Sequence, residues 1–204
     1  MPHRARPEHR SHQPVHVTLR AGLTLLRRQF VFVQIRGALA SASRSTFRVV
    51  EFSVQTNHVH MLVEADDKAT LAGGIRGLAI RAARSINRAV GRVGRVWSDR
   101  YHARALTTPR EVRNALVYIL MNRKKHVSSP SLPGPQADPC SSAVFFDGWR
   151  PRSVPHPSES GCPDRLDSRA RRSSVARART WLASIGWRKH GLLGRDEAPK
   201  SMSR

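Results

Sequence analysis

The reading of the fold starts from FRVVEFSV, QTN and HVHMLV, residues 47–63. Phe47–Val54 is rich in β-branched and aromatic residues, the composition of a well-packed strand. His58–Val63 alternates with period two and reads as a second strand, and Gln55, Thr56 and Asn57 suit the turn between them. Successive strand side chains point to opposite faces. Val59, Met61 and Val63 therefore share a core face, and His58 and His60 project together from the other.

Outward from the hairpin, the period alternates between strand and helix. Upstream, Val15–Leu19 (VHVTL) reads as a strand, and Leu23 to about Ser43 reads as a helix with Leu26, Phe30, Val33 and Gly37 on one side. Downstream, Leu71–Val93 is a long helix, and Val96–Leu106 is a strand entered through Gly94. A last helix opens at Thr108, where Thr108 caps, Pro109 fills the first helical position and Glu111 completes a Thr-x-x-Glu capping box. The order β-α-β-β-α-β-α predicts an α+β fold, a ferredoxin-like antiparallel sheet with one additional C-terminal helix. Such a fold packs helices on one face and can leave the other open to ligands.

Charge narrows the partner. The 204 residues hold 36 Lys+Arg against 14 Asp+Glu, a formal net charge of +22. Such a field repels small cations and favours a polyanion, with nucleic acid first among them. Of the basic residues, 23 precede residue 127, whereas eight of the 13 prolines fall between Pro130 and Pro163. The chain therefore divides into a basic N-terminal tail (1–13), a folded domain (14–126) and a Pro-rich, partly irregular extension (127–204) with a short helix near Arg177–Ile185. No apolar run reaches membrane-span length: the best, Phe30–Ile35, is broken by Gln34. Two cysteines, Cys140 and Cys162, without a second pair fit a reducing compartment, so the expected place is the cytoplasm, in association with the nucleoid, with no membrane partner.

Several side chains could carry chemistry. Two imidazoles at i and i+2 on a strand can share one divalent ion if a third ligand arrives from another element; two solvated surface histidines are the plainer alternative. On the last helix Tyr118 and Asn122 are four apart and lie on one side, followed by Arg123, Lys124 and Lys125. A phenol, an amide oxygen and two imidazoles brought together beside basic residues would make a metal-assisted phosphoryl-transfer site. Arg81, Arg84 and Arg88 recur on one side of the long helix, opposite an apolar stripe, and Arg100 and Arg104 lie on the strand before the last helix. All are candidate phosphate contacts, although an arginine-rich solvated helix surface would look the same. Trp97 and Tyr101 could stack bases, core packing being the commoner use of Trp97, and Tyr101 is a rival nucleophile without a matching amide.

The segment NHVHMLVE resembles the His-hydrophobic-His motif of HUH single-strand endonucleases. YILMNRKKH resembles the catalytic-helix motif of single-tyrosine transposases of the IS200-like family, in particular the REP-associated tyrosine transposases. The resemblance spans roughly residues 14–126. It implies a ferredoxin-like fold and a DNA transposase that cleaves and rejoins single-stranded or hairpin DNA. By the same resemblance Tyr118 is the nucleophile that forms a 5′-phosphotyrosine, and His58, His60 and Asn122 hold Mg²⁺ or Mn²⁺. It leaves monomer and homodimer open. A non-catalytic single-strand- or RNA-binding module, or a domesticated transposase that no longer cleaves, is the competing expectation.

Overall fold

The structure, a computed structural model, describes residues 9–122, 138–151, 174–197 and 199. Its elements are β1 (Val15–Arg20), α1 (Gln29–Ala40), β2 (Phe47–Val54), β3 (His58–Ala65), α2 (Lys68–Val90), β4 (His102–Ala105) and α3 (Pro109–Met121). A 3₁₀ turn at Ser142–Phe145 follows, then α4 (Trp181–Ser184) and a second 3₁₀ turn at Gly186–His190. The four strands form one antiparallel sheet in the order β2-β3-β1-β4, the ferredoxin-like arrangement expected from the element order. Among the described residues no helix is long and apolar enough to cross a membrane.

The hairpin forms over the turn read from the sequence, and Val59, Met61 and Val63 are fully buried. With Val15, Val17, Leu19, Val49 and Phe52 they face α1 and α2 in the larger core. α2 is held at its start by a reciprocal Asp67–Thr70 capping box and stops at Gly91, whose φ of 64° is the left-handed conformation that ends a helix. Val93 therefore falls beyond the helix and is 90% exposed, and Ala89 is exposed too, instead of extending the apolar stripe. α3 begins with the Thr108–Glu111 capping box and Pro109 in its first turn, as the sequence indicates.

Two other elements differ from expectation. α1 starts at Gln29, and its buried side is Val31, Phe32, Ile35, Ala38 and Leu39, while Phe30 and Val33 are exposed. Its sequence, QFVFVQIRGALA, is apolar on nearly every side, so periodicity alone admits two phases. Residues 23–28 form turns instead of helix, anchored where Leu26 N donates to Thr56 O at 3.1 Å. β4 is a four-residue strand: Trp97 makes an isolated bridge to Ala21, and the Ser-Asp-Arg stretch after it leaves the ladder.

The second sheet face is not left open. α3 packs across it with Val112, Ala115, Leu116 and Ile119 against Leu62 and Val50, and Leu182, Trp187 and Leu193 from the extension complete this second core. The extension also joins the sheet polar group by polar group. Val54 N donates to Cys140 O at 2.8 Å, and Arg27 grips Asp138 through both guanidinium nitrogens at 2.8 and 2.6 Å. Residues 177–180 are not helical, Ala176 N bonds Val49 O, and the helix begins at Trp181 under a Thr180 cap, later than expected.

Buried Glu51 on β2 meets Ser142 Oγ, which also accepts from Phe52 N at 2.9 Å and bonds Phe52 O at 3.1 Å. One hydroxyl hydrogen cannot serve both oxygens, so a protonated Glu51 that donates to Ser142 completes the network. Burial, against the Ser142 bond and helped by the Asp147 charge, pushes this carboxyl from 4.5 up to about 8. Between those values the unfolded chain has released the proton and the folded chain retains it, so Glu51 lowers stability as pH rises from 4.5 toward 8. Glu51→Gln is expected to be close to neutral at pH 4.5 and progressively more stable than the wild type as pH rises toward 8. Urea unfolding across that range checks it, and equal pH slopes for the two proteins would remove the ionisation from the account.

Candidate active site

Strand period brings both histidines of HVH to the face that α3 covers. Cross-strand register sets His60 opposite Thr18 of β1 and Ser53 of β2, with His58 opposite Arg20. His60 is 4% exposed. Its ring centroid lies 4.6 Å from that of His58, edge to face, and 5.0 Å from that of Tyr118 at an interplanar angle of 85°. The imidazoles thus face the last helix. Asn122 caps the end of α3 one turn beyond Tyr118, and its amide is 99% buried. Neither Oδ1 nor Nδ2 of that amide has a hydrogen-bond partner among the described residues.

A third imidazole, which sequence reasoning missed, completes the cluster. His16 of β1 stacks on His60 at 5.4 Å and 26°, and meets Tyr118 edge-on at 5.7 Å and 71°. Burial and, second, the nearby Arg104 charge pull its pKa from 6.5 down to about 4, so it is neutral at physiological pH. The signal was available in VHVTL, where period two puts His16 and Thr18 on one face. That this face adjoins His60 depends on β1 lying beside β3, which is a matter of sheet order.

The histidines are oriented from behind. Asn57 Oδ1 accepts from His58 Nδ1 at 2.7 Å, and Thr18 Oγ1 hydrogen-bonds His60 Nδ1 at 3.1 Å. With Nδ1 engaged in both rings, Nε2 is the nitrogen each would offer an ion. Among the described residues no three His, Cys, Asp or Glu side chains assemble as a metal set, and the buried Asn122 amide is a further oxygen donor on α3. Two imidazoles and an amide oxygen are a mixed donor set that Mn²⁺ or Mg²⁺, completed by water, can accept. Burial raises the pKa of the Tyr118 phenol, so it is protonated at neutral pH and a weak nucleophile until something favours the phenolate.

The other candidates fall in different places. Tyr101 packs against the core beneath α1 and α2, on the sheet face turned away from His58 and His60, which disfavours it as nucleophile. Trp97 is committed to packing, with its indole N–H donating to Ala79 O at 2.8 Å. Arg104 faces the site from β4, opposite His16, and pairs with Glu111 at 2.9 Å while staying half exposed. Arg100 is exposed just before β4. Arg81, Arg84 and Arg88 line a groove between α1 and α2 with Gln34 and Ser41, so the sheet separates them from the histidines. Arg123, Lys124 and Lys125 lie outside the described residues.

The family model described as Transposase IS200 like matches residues 31–122, from α1 to the end of α3. The match agrees with the resemblance to the IS200-like family and takes in 92 of the 204 residues. Among solved structures, the chain is similar to a REP-associated tyrosine transposase bound to a REP hairpin. Identity is 19%, with 62% of this chain and 74% of that chain covered and a TM-score of 0.49. It is also similar to a candidate transposase from Deinococcus radiodurans R1, at 14% identity, 52% and 85% coverage and a TM-score of 0.38. A search of the curated proteins found no match.

Proposed function

We propose that the chain is a metal-dependent DNA strand transferase that cleaves and rejoins single-stranded DNA, at hairpin repeats, through a 5′-phosphotyrosine at Tyr118. The observation that carries this reading is the edge-on packing of Tyr118 against His60, 5.0 Å between centroids, on the face shared with His58. His58, His60 and Asn122 would hold Mg²⁺ or Mn²⁺, which when bound polarises the scissile phosphate and offsets charge developing on it. The buried Asn122 amide, without a hydrogen-bond partner among the described residues, favours this, because such a group costs about 1–3 kcal/mol unless something satisfies it.

The chain's own groups do the rest. α3, capped at one end and packed along its length, holds the Tyr118 ring beside His60, which lowers the entropic cost of alignment. The phenol oxygen forms a bond to phosphorus as the bond from phosphorus to the 3′-oxygen breaks. The proton lost by the phenol is balanced by the one the 3′-oxygen gains. The phosphodiester energy is kept in the tyrosyl link, so a second strand's 3′-hydroxyl can reverse the step without ATP. In this reading the transferase unit spans residues 14–126, with the extension docked on it.

Arg100, Arg104, Arg123, Lys124 and Lys125 are proposed to meet phosphates near the site. Arg81, Arg84 and Arg88 would engage DNA on the opposite face. Replacing those three by glutamine is expected to lower the slope of log Kd against log salt by about 2 for a single strand, at roughly 0.7 per phosphate contact. An unchanged slope in filter binding would remove them from the DNA interface.

The whole reading is tested by incubating the chain with labelled hairpin-bearing single-stranded DNA and Mn²⁺ and looking for an SDS-resistant adduct. An adduct that requires the metal is expected. Tight binding with no adduct on any repeat substrate would favour a binding module instead.

A further inference from the structure

Strand β1 turns two side chains into the site for which the strand transfer described above has no use, His16 and Thr18. They are neighbours in the period-two pattern of VHVTL, and β1 is an inner strand, paired to β3 on one side and β4 on the other. Such a strand is a stiff base, since its backbone groups are committed on both edges. Thr18 lies directly opposite His60 in register and bonds its Nδ1 at 3.1 Å. His16 stacks on the His60 ring and meets the Tyr118 ring in a T-shaped contact at once.

We propose that His16 and Thr18 are positioning residues of the strand transferase: Thr18 sets the tautomer and tilt of His60, and His16 holds His60 and Tyr118 in one mutual arrangement. The inference rests on the reading of His60 as a metal ligand. The chemistry behind the Thr18 half is that a ligating imidazole presents its lone pair at one nitrogen only when the other carries the proton. A hydroxyl that accepts Nδ1–H keeps the proton there. Valine at position 18 would fill the same space and leave the tautomer unset. The chemistry behind the His16 half is steric. A planar ring touching both partners removes the rotamers in which the phenol swings off the His60 edge, and near-attack alignment is lost with shifts of about 1 Å.

The experiment uses the full chain and Mn²⁺ alone as probe, with free Mn²⁺ read by electron paramagnetic resonance. Thr18→Val is expected to weaken Mn²⁺ binding about 10- to 100-fold, the usual effect of removing a partner behind a ligating histidine, and Thr18→Ser to restore it. His16→Ala is expected to slow adduct formation at saturating Mn²⁺ by about tenfold or more, and His16→Phe, which keeps a ring there, to recover most of the rate. The serine and phenylalanine variants separate positioning from mere folding. If His60→Ala loses Mn²⁺ while Thr18→Val keeps wild-type affinity, or if His16→Ala keeps the wild-type rate, the proposal is overturned and the metal reading stands. If His60→Ala binds Mn²⁺ as tightly as the wild type, the metal reading falls and takes the proposal with it.

Discussion

Tyr118→Phe is expected to abolish the covalent protein–DNA adduct, with a loss on the order of 10³-fold or more, while the protein stays folded and binds the same DNA. The size follows from what is removed: with no phenol oxygen there is no atom to bond to phosphorus, and neighbouring groups that act with a nucleophile cannot replace it. The fold survives because the ring stays. Its edge contacts with His60 and His16 need no hydroxyl, and α3 is secured by its capping box and by Val112, Leu116 and Ile119. Gel electrophoresis of labelled DNA with both proteins decides the matter. An adduct persisting in the variant would move the nucleophile elsewhere. Tyr101, the other tyrosine of the chain, then has to be reached from the far side of the sheet.

The largest expected effect on stability belongs to Glu64. Its side chain is fully buried at the end of β3 and accepts from Arg48 Nε at 3.0 Å, from Thr180 N and Oγ1 at 2.8 Å each, and from Arg179 N at 3.0 Å. It therefore joins the sheet to the segment that leads into α4. Glu64→Ala leaves the Arg48 guanidinium buried beside the vacated carboxylate, and strips two backbone N–H groups and a hydroxyl of their acceptor. Breaking a buried pair from one side costs about 3–5 kcal/mol, a large part of the roughly 5–15 kcal/mol that holds an ordinary domain together. The expected result in urea is a midpoint shifted sharply down, together with protease sensitivity around residues 174–197. A variant within about 1 kcal/mol of wild type would show that the docked extension contributes little to the folded state.

These two residues differ in how far the sequence reveals them. Tyr118 is legible, because helical spacing to Asn122 and the capping box at Thr108 are local features that survive in any tertiary setting. Glu64 is not, because its partners Thr180 and Arg179 are more than a hundred residues away and nothing local marks the pairing. The phase of α1 is not legible in the sequence for a related reason. A helix apolar on most sides takes its buried stripe from whatever it packs against, and α2 and the sheet choose Val31, Ile35 and Ala38 over Phe30 and Val33. Arg81, Arg84 and Arg88 share one helix side as read, yet a one-dimensional pattern does not say on which face of the sheet that helix lies.

The sequence by itself determined the hairpin, the common face of His58 and His60, the order of elements and the placement of Tyr118 and Asn122 on one capped helix. Each follows from a short period, two for strands and 3.6 for helices, that acts within a few residues. The tertiary structure decided that α3 lies across the histidine face, that His16 and Thr18 join the cluster, and that the extension seals the second core. Those outcomes depend on strand order and on burial against distant residues, where the gain from covering apolar surface is settled by the whole fold and not by any segment of it.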